Sequence, residues 1–291
     1  MHSDKLNDLA DNPAHISGIY NYCDRWCERC AFTSRCLLYA TEQADPDAND
    51  PETRDITNEK FWRKLHDIFS EAATMISEWA AEAGVDLNSV DVTAEMAENE
   101  REMEAAEQDE LSEQAHHYAK TVQNWFESEF LTDEDVHDDA MSASKPVSDD
   151  LTVHDAAEII QWYQFFIAVK LIRALHNHSA IDEESDDDDL LSFDFTSVNE
   201  TDEDEEVDYD AVISRANRMD SNGSAKVALV AIDRSMAGWR SLQLALPEKA
   251  HTINPILIDL DRLRRLTEAR FPHARDFIRP GLDEVLSDFV S

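Results

Sequence analysis

The sequence predicts an all-α protein: a multi-helix bundle with an N-terminal four-cysteine metal or cluster module. Three observations carry this. The 291 residues include only 5 Gly and 8 Pro, too few for the many turns of a barrel, a sandwich or a doubly wound sheet. The apolar fraction is 42% and includes six Trp, enough for a sizeable core. Apolar residues recur at helical spacing through the long segments.

The first element is the cysteine module, assigned to residues 1–50. The only four cysteines of the chain are Cys23, Cys27, Cys30 and Cys36, spaced C-x3-C-x2-C-x5-C. Four thiolates from one short stretch match the ligand count of a structural zinc or a [4Fe–4S] cluster. If residues 15–42 are helical, Cys23, Cys27 and Cys30 stack on one face, and Cys36 returns after a turn at Ala31–Ser34. Arg25, Arg29 and Arg35 interleave with them and would offset the negative charge of a thiolate-bound centre.

Residues 51–291 are expected to form the helical bundle, after a Pro/Asp/Asn linker at 45–51. A long helix is predicted from about Asn58 to Ala83, with Phe61, Trp62, Leu65, Ile68, Phe69, Ala72, Ile76 and Trp79 at helical spacing and Gly84 as its cap. Residues 92–131 give a second long pattern whose highly charged first half predicts a solvated extension. Residues 152–178 are apolar on most sides and predict a central helix. Residues 182–210 lack Lys and Arg and predict a disordered acidic loop, centred on about 180–208, in which Leu190–Phe195 could clip back onto the bundle. The segments 208–219 and 225–246 predict one interrupted helix or two. Asn254 to Phe271 predicts the last helix, ended by Pro272.

The final three cysteines, Cys27, Cys30 and Cys36, resemble the cluster loop of helix-hairpin-helix DNA glycosylases, which carries the spacing C-x2-C-x5-C around a [4Fe–4S] centre. The resemblance covers those three residues and implies a ligand type, not a glycosylase activity. The first three, C-x3-C-x2-C, also match the radical-SAM pattern, but that family needs a glycine-rich β/α barrel. All-cysteine ligation leaves no open metal position, so a structural, regulatory or electron-transfer role is expected.

A second reading is a carboxylate-bound metal in a ferritin-like bundle, making the protein an oxidoreductase. Such a site needs E-x-x-H pairs on facing helices. The chain offers Glu113/His116, Glu134/His137 and Glu248/His251, of which the first should face solvent and the others lie in loops. Glu158, one turn after His154 in the most apolar helix, is the remaining candidate, with a salt bridge or hydrogen bond near the helix start as the plainer explanation. The cluster Arg262, Arg264, Arg265, Arg270, Arg275 and Arg279 is expected to dock onto the chain's own acidic surface rather than to bind an anion.

The net charge is −39, from 64 acidic and 25 basic residues. Direct nucleic-acid binding is disfavoured. An acidic nucleic-acid mimic with a basic protein partner is a third reading. Because the acid is spread along the chain, a salt-adapted (halophilic) cytoplasmic protein fits better. No secretory leader and no membrane span is evident. Lowering salt from about 2 M to about 0.1 M lengthens the Debye length from a few ångströms to about 10 Å. The melting temperature should fall across that range; a rise would contradict a fold that depends on screening.

Overall fold

A computed structural model describes residues 8–45, 47, 50–89, 91–130, 152–179 and 209–283. All regular structure among them is helical. The helices are α1 Leu37–Ala44, α2 Glu59–Glu82, α3 Thr93–Glu107, α4 Glu110–Trp125, α5 Val153–Ser179, α6 Tyr209–Ala245 and α7 Ala250–Arg270, with short 3-10 turns between several of them. No helix among the described residues is long and apolar enough to cross a membrane. The chain divides into two compact units, 1–20 with 26–100, and 21–25 with 101–291.

In the first unit the predicted cysteine helix is corrected. Cys27–Arg29 and Thr33–Arg35 are separate 3-10 turns, and only Leu37–Ala44 is an α-helix. Cys23, Cys27 and Cys30 therefore share no helical face. One cause is Arg25, whose φ of +59° is left-handed, a conformation that a non-glycine residue adopts at a cost and that no α-helix tolerates. The next helix, α2, matches its expected span. Asn58 caps it, accepting from the Lys60 N–H at 2.9 Å. At its end Gly84 takes φ +71°, and Gly84 and Val85 donate back to the Ala81 and Ala80 carbonyls. Asp50 caps the 3-10 turn Pro51–Thr53 and accepts from Lys60 at 3.0 Å, while Lys64 salt-bridges Asp45.

The single pattern at 92–131 is two helices. Asp109 accepts from the Leu111 N–H at 2.9 Å and starts α4 afresh. The sparse apolar content of α3 leaves it largely exposed, as its composition implies. A short π turn, Phe126–Phe130, follows α4.

The core of the second unit is a ring of four helices, α4 on α5, α5 on α6, α6 on α7 and α7 back on α4. Trp239 lies fully buried, donating its indole N–H to Tyr118 Oη at 3.1 Å and meeting the Trp125 ring edge-on at 4.9 Å. Thr152 and Asp155 form a reciprocal capping box at the start of α5. The two segments around 208–246 are one continuous helix, α6. The predicted acidic loop at 180–208, with Leu190–Phe195, lies outside the described residues, as do Glu134 and His137.

The closest packing is between α5 and α6. A Cβ on Gly238 would stand 3.0 Å from Ile160 Cγ1 and 3.1 Å from the Ala156 carbonyl oxygen, so a side chain there must push the helices apart. Gly238→Val should destabilise the second unit by about 1–3 kcal/mol, read as a lower denaturation midpoint. An unchanged midpoint would mean that this approach is looser than described.

Candidate functional site

The four cysteines are all half-buried. Cys27, Cys30 and Cys36 belong to the first unit and Cys23 to the second. In the first unit, the Cys27–Arg29 turn closes C-x2-C with a Cys30 N–H to Cys27 O bond of 3.2 Å. The Phe32 N–H donates to Cys30 Sγ at 3.4 Å. Such backbone donation suits a sulfur that carries negative charge. The Arg29 guanidinium stacks 4.4 Å over the Trp26 ring, which holds a cation between Cys27 and Cys30 in sequence. Cys36 caps α1, with its carbonyl accepting from Ala40.

In the second unit, Asn21–Arg25 is fastened to the α5/α6 face, and this is the best-built part of the region. Tyr22 is buried, its ring edge-on to Phe277 at 4.9 Å. It sits where Gly223 leaves room, since a Cβ there would come within 2.2 Å of Tyr22 Cε1. Burial, reinforced by the Asp220 charge, pushes the Tyr22 phenol up to about 12. Asp24 is held three ways. Its carboxylate accepts from Tyr163 Oη at 2.6 Å and from Arg234, and its carbonyl accepts from Trp162 Nε1 at 3.1 Å. Arg234 also donates to Tyr163 Oη at 2.5 Å, which closes a triangle of one carboxylate, one phenol and one guanidinium.

Lys170, only 8% exposed, reaches the Asn21 carbonyl at 3.2 Å. Burial, with Arg173 nearby, pulls its ammonium below the usual lysine range, and Cys23 opposes that shift. Arg173 itself forks onto Asp220 through two bonds of 2.7 and 2.6 Å. Cys23 thus stands between two clamped residues, Tyr22 and Asp24, with a buried cation on its flank. No motif in the sequence points directly to this clamp. Gly223 in an otherwise regular helix, and Tyr22 and Asp24 on either side of the first cysteine, were the available signals.

Among the described residues, no group of three or more His, Cys, Asp or Glu side chains is arranged to hold a metal ion. The chemistry of the four thiols fits a thiolate-bound centre. The carboxylate candidates are not gathered. Glu113, His116, Glu248 and His251 are exposed, and Glu158 and His154 are half-buried on α5. The C-terminal arginines pair within the chain, as expected: Arg262 with Glu110, Arg264 and Arg265 with Asp261, Arg270 with Asp109, Arg275 with Asp233 and Glu268, and Arg279 with Asp283.

Comparison with known protein families, curated proteins and solved structures yields no match.

Burial, followed by the Asp24 charge, also pushes the Tyr163 phenol well above its ordinary range. A raised folded-state value contributes stability that is complete below the unfolded phenol's pKa of about 10 and is lost as pH climbs above it. Tyr163→Phe should cost about 1–2 kcal/mol near neutral pH by removing a donor from Asp24. It should also shrink the loss of stability above about pH 10. Equal alkaline slopes for both proteins would contradict the clamp.

Proposed function

We propose that Cys23, Cys27, Cys30 and Cys36 are the ligands of a [4Fe–4S] cluster, with zinc as the alternative occupant, and that the protein has a binding, regulatory or electron-transfer role. The observation that carries this reading is the confinement of every cysteine of a 291-residue chain to one fourteen-residue stretch spaced C-x3-C-x2-C-x5-C. Two local features support it: the Phe32 N–H bond to Cys30 Sγ, and the cations at Arg29 and Lys170. Thiolate–metal bonds drive local folding, because the binding energy itself organises the ligands. A cluster would supply one-electron transfer, and zinc would supply a cross-link.

Four thiolates around one centre leave no coordination position for a substrate, so the proposed role is not direct catalysis at the metal. Chain residues would contribute position and charge. Tyr22 and Asp24 fix the backbone on either side of Cys23. Lys170 and Arg29 lower the electrostatic cost of gathering anionic sulfurs.

The test is metal and sulfide analysis, with an absorption spectrum, on protein purified anaerobically in high salt. About four irons with sulfide and bleaching on reduction support the cluster. About one zinc in colourless protein supports the alternative. Cys27→Ser should then lose most of the metal and lower the melting temperature. Absence of both metals, or full metal content in Cys27→Ser, overturns the assignment.

A further inference from the structure

We propose that residues 271–283, the chain that follows α7, are a latch that keeps Tyr22 in its notch on α6, and that undocking of the latch releases Tyr22 and loosens the segment carrying Cys23. The contacts that carry this all lie within the second unit and hold whatever the cysteines bind.

The two ends of the latch are fastened differently. At its root Phe271 and Ala274 are buried, and Phe271 meets the His178 ring edge-on at 5.4 Å. That apolar anchor makes the root a hinge. Residues 275–283 are half-buried or exposed, and what holds them is mostly polar. The Arg275 guanidinium forks onto Glu268 at 2.8 and 3.0 Å and reaches Asp233 at 2.7 Å. The Arg275 carbonyl accepts from the Lys226 ammonium. At the far end Arg279 and Asp283 close on each other, the Arg279 N–H donating to the carboxylate at 2.9 Å and the guanidinium at 2.7 Å. Ion pairs at partly exposed positions are individually weak, so this end opens before the root does.

The apolar tip of the latch is Phe277, and it rests on Tyr22. The two rings meet edge-on at 4.9 Å. Both close over the same glycine: a Cβ on Gly223 would stand 2.2 Å from Tyr22 Cε1 and 3.0 Å from Phe277 Cε1. Tyr22 is thus held by α6 on one side and by the latch on another. It is also the one buried side chain of Asn21–Arg25. Asn21 and Asp24 are held through polar contacts to Lys170, Tyr163 and Arg234. Withdrawing Phe277 therefore removes part of the only apolar anchor that the segment has. Lys226 and Asp233, which pin Arg275, stand on α6 beside the notch, so one helix carries the catch and the site that it guards. Docking of the latch and docking of Tyr22 favour each other, and the coupling is reciprocal.

The test is limited chymotrypsin digestion of the full-length protein, with the fragments identified by mass. Cleavage after Tyr22 requires the ring to leave its notch and enter the protease pocket, so its initial rate follows the population of released segment. Phe277→Ala should speed that cleavage roughly ten-fold. Arg275→Gln and Lys226→Met unpin the latch without altering Tyr22 or its notch, and each should speed it about three- to five-fold. Ile278→Ala, at a position on the same latch that is 53% exposed, should leave the rate unchanged. Cleavage after Trp239, which is fully buried in the core, should not change in any variant. An unchanged rate after Tyr22 in Phe277→Ala, or in both Arg275→Gln and Lys226→Met, overturns the proposal. So does Ile278→Ala matching Phe277→Ala. Equal acceleration after Tyr22 and after Trp239 also overturns it, because the variants would then loosen the whole unit and not a latch.

Discussion

The packing of α5 on α6 is the constraint on which the second unit depends. It sets the core, because Ile160, Ile167 and Leu171 from one helix and Leu229, Ile232 and Trp239 from the other are all essentially buried. It also creates the face that receives Asn21–Arg25. Tyr163 and Lys170 come from α5, Gly223 and Arg234 from α6, and each touches that segment through a different group. The hydrophobic contact supplies most of the free energy, and the polar contacts select one register for the segment. A buried lysine and a buried tyrosine are tolerable there because each finds a partner: the Asn21 carbonyl for one, and Asp24 with Arg234 for the other. Loosening the two helices would therefore release Cys23 along with the core.

The acidic composition acts on the same structure from outside. With a net charge of −39, scattered cations matter more than usual. Nearly all the arginines near the C-terminus are engaged with carboxylates of the second unit, and two of them, Arg275 and Arg264, converge on Asp233. These pairs are mostly surface pairs, individually weak and screened by salt. Their larger effect is to keep a strongly anionic chain from repelling itself where its helices meet.

Much of the fold was legible in the sequence. The 24-residue α2 and its Gly84 cap followed from apolar spacing and one glycine, and α5 from an almost continuous apolar run. The intramolecular docking of the arginines followed from charge. What failed had physical causes. The break between α3 and α4 depends on one capping aspartate, Asp109, among many acids that cap nothing. The gap expected between 219 and 225 is bridged by one continuous helix, and Gly223 within it leaves the room that Tyr22 fills. The spacing of the cysteine segment suits a helix, whereas Arg25 and two 3-10 turns break it. The candidate site was legible as a set of clustered thiols, not as an arrangement. Spacing reports which residues are close in sequence, and the clamp on Asp24 comes from residues about 140 and 210 positions away.

The central claim is that the four cysteines bind one centre. X-ray absorption at the metal edge of the purified full-length protein tests it most directly, because it reports the ligand atoms themselves. The account predicts a first shell of sulfur alone, with metal–sulfur distances near 2.3 Å, and for a cluster an additional iron–iron distance. A shell of nitrogen and oxygen would move the metal to histidines and carboxylates and contradict the assignment to Cys23, Cys27, Cys30 and Cys36.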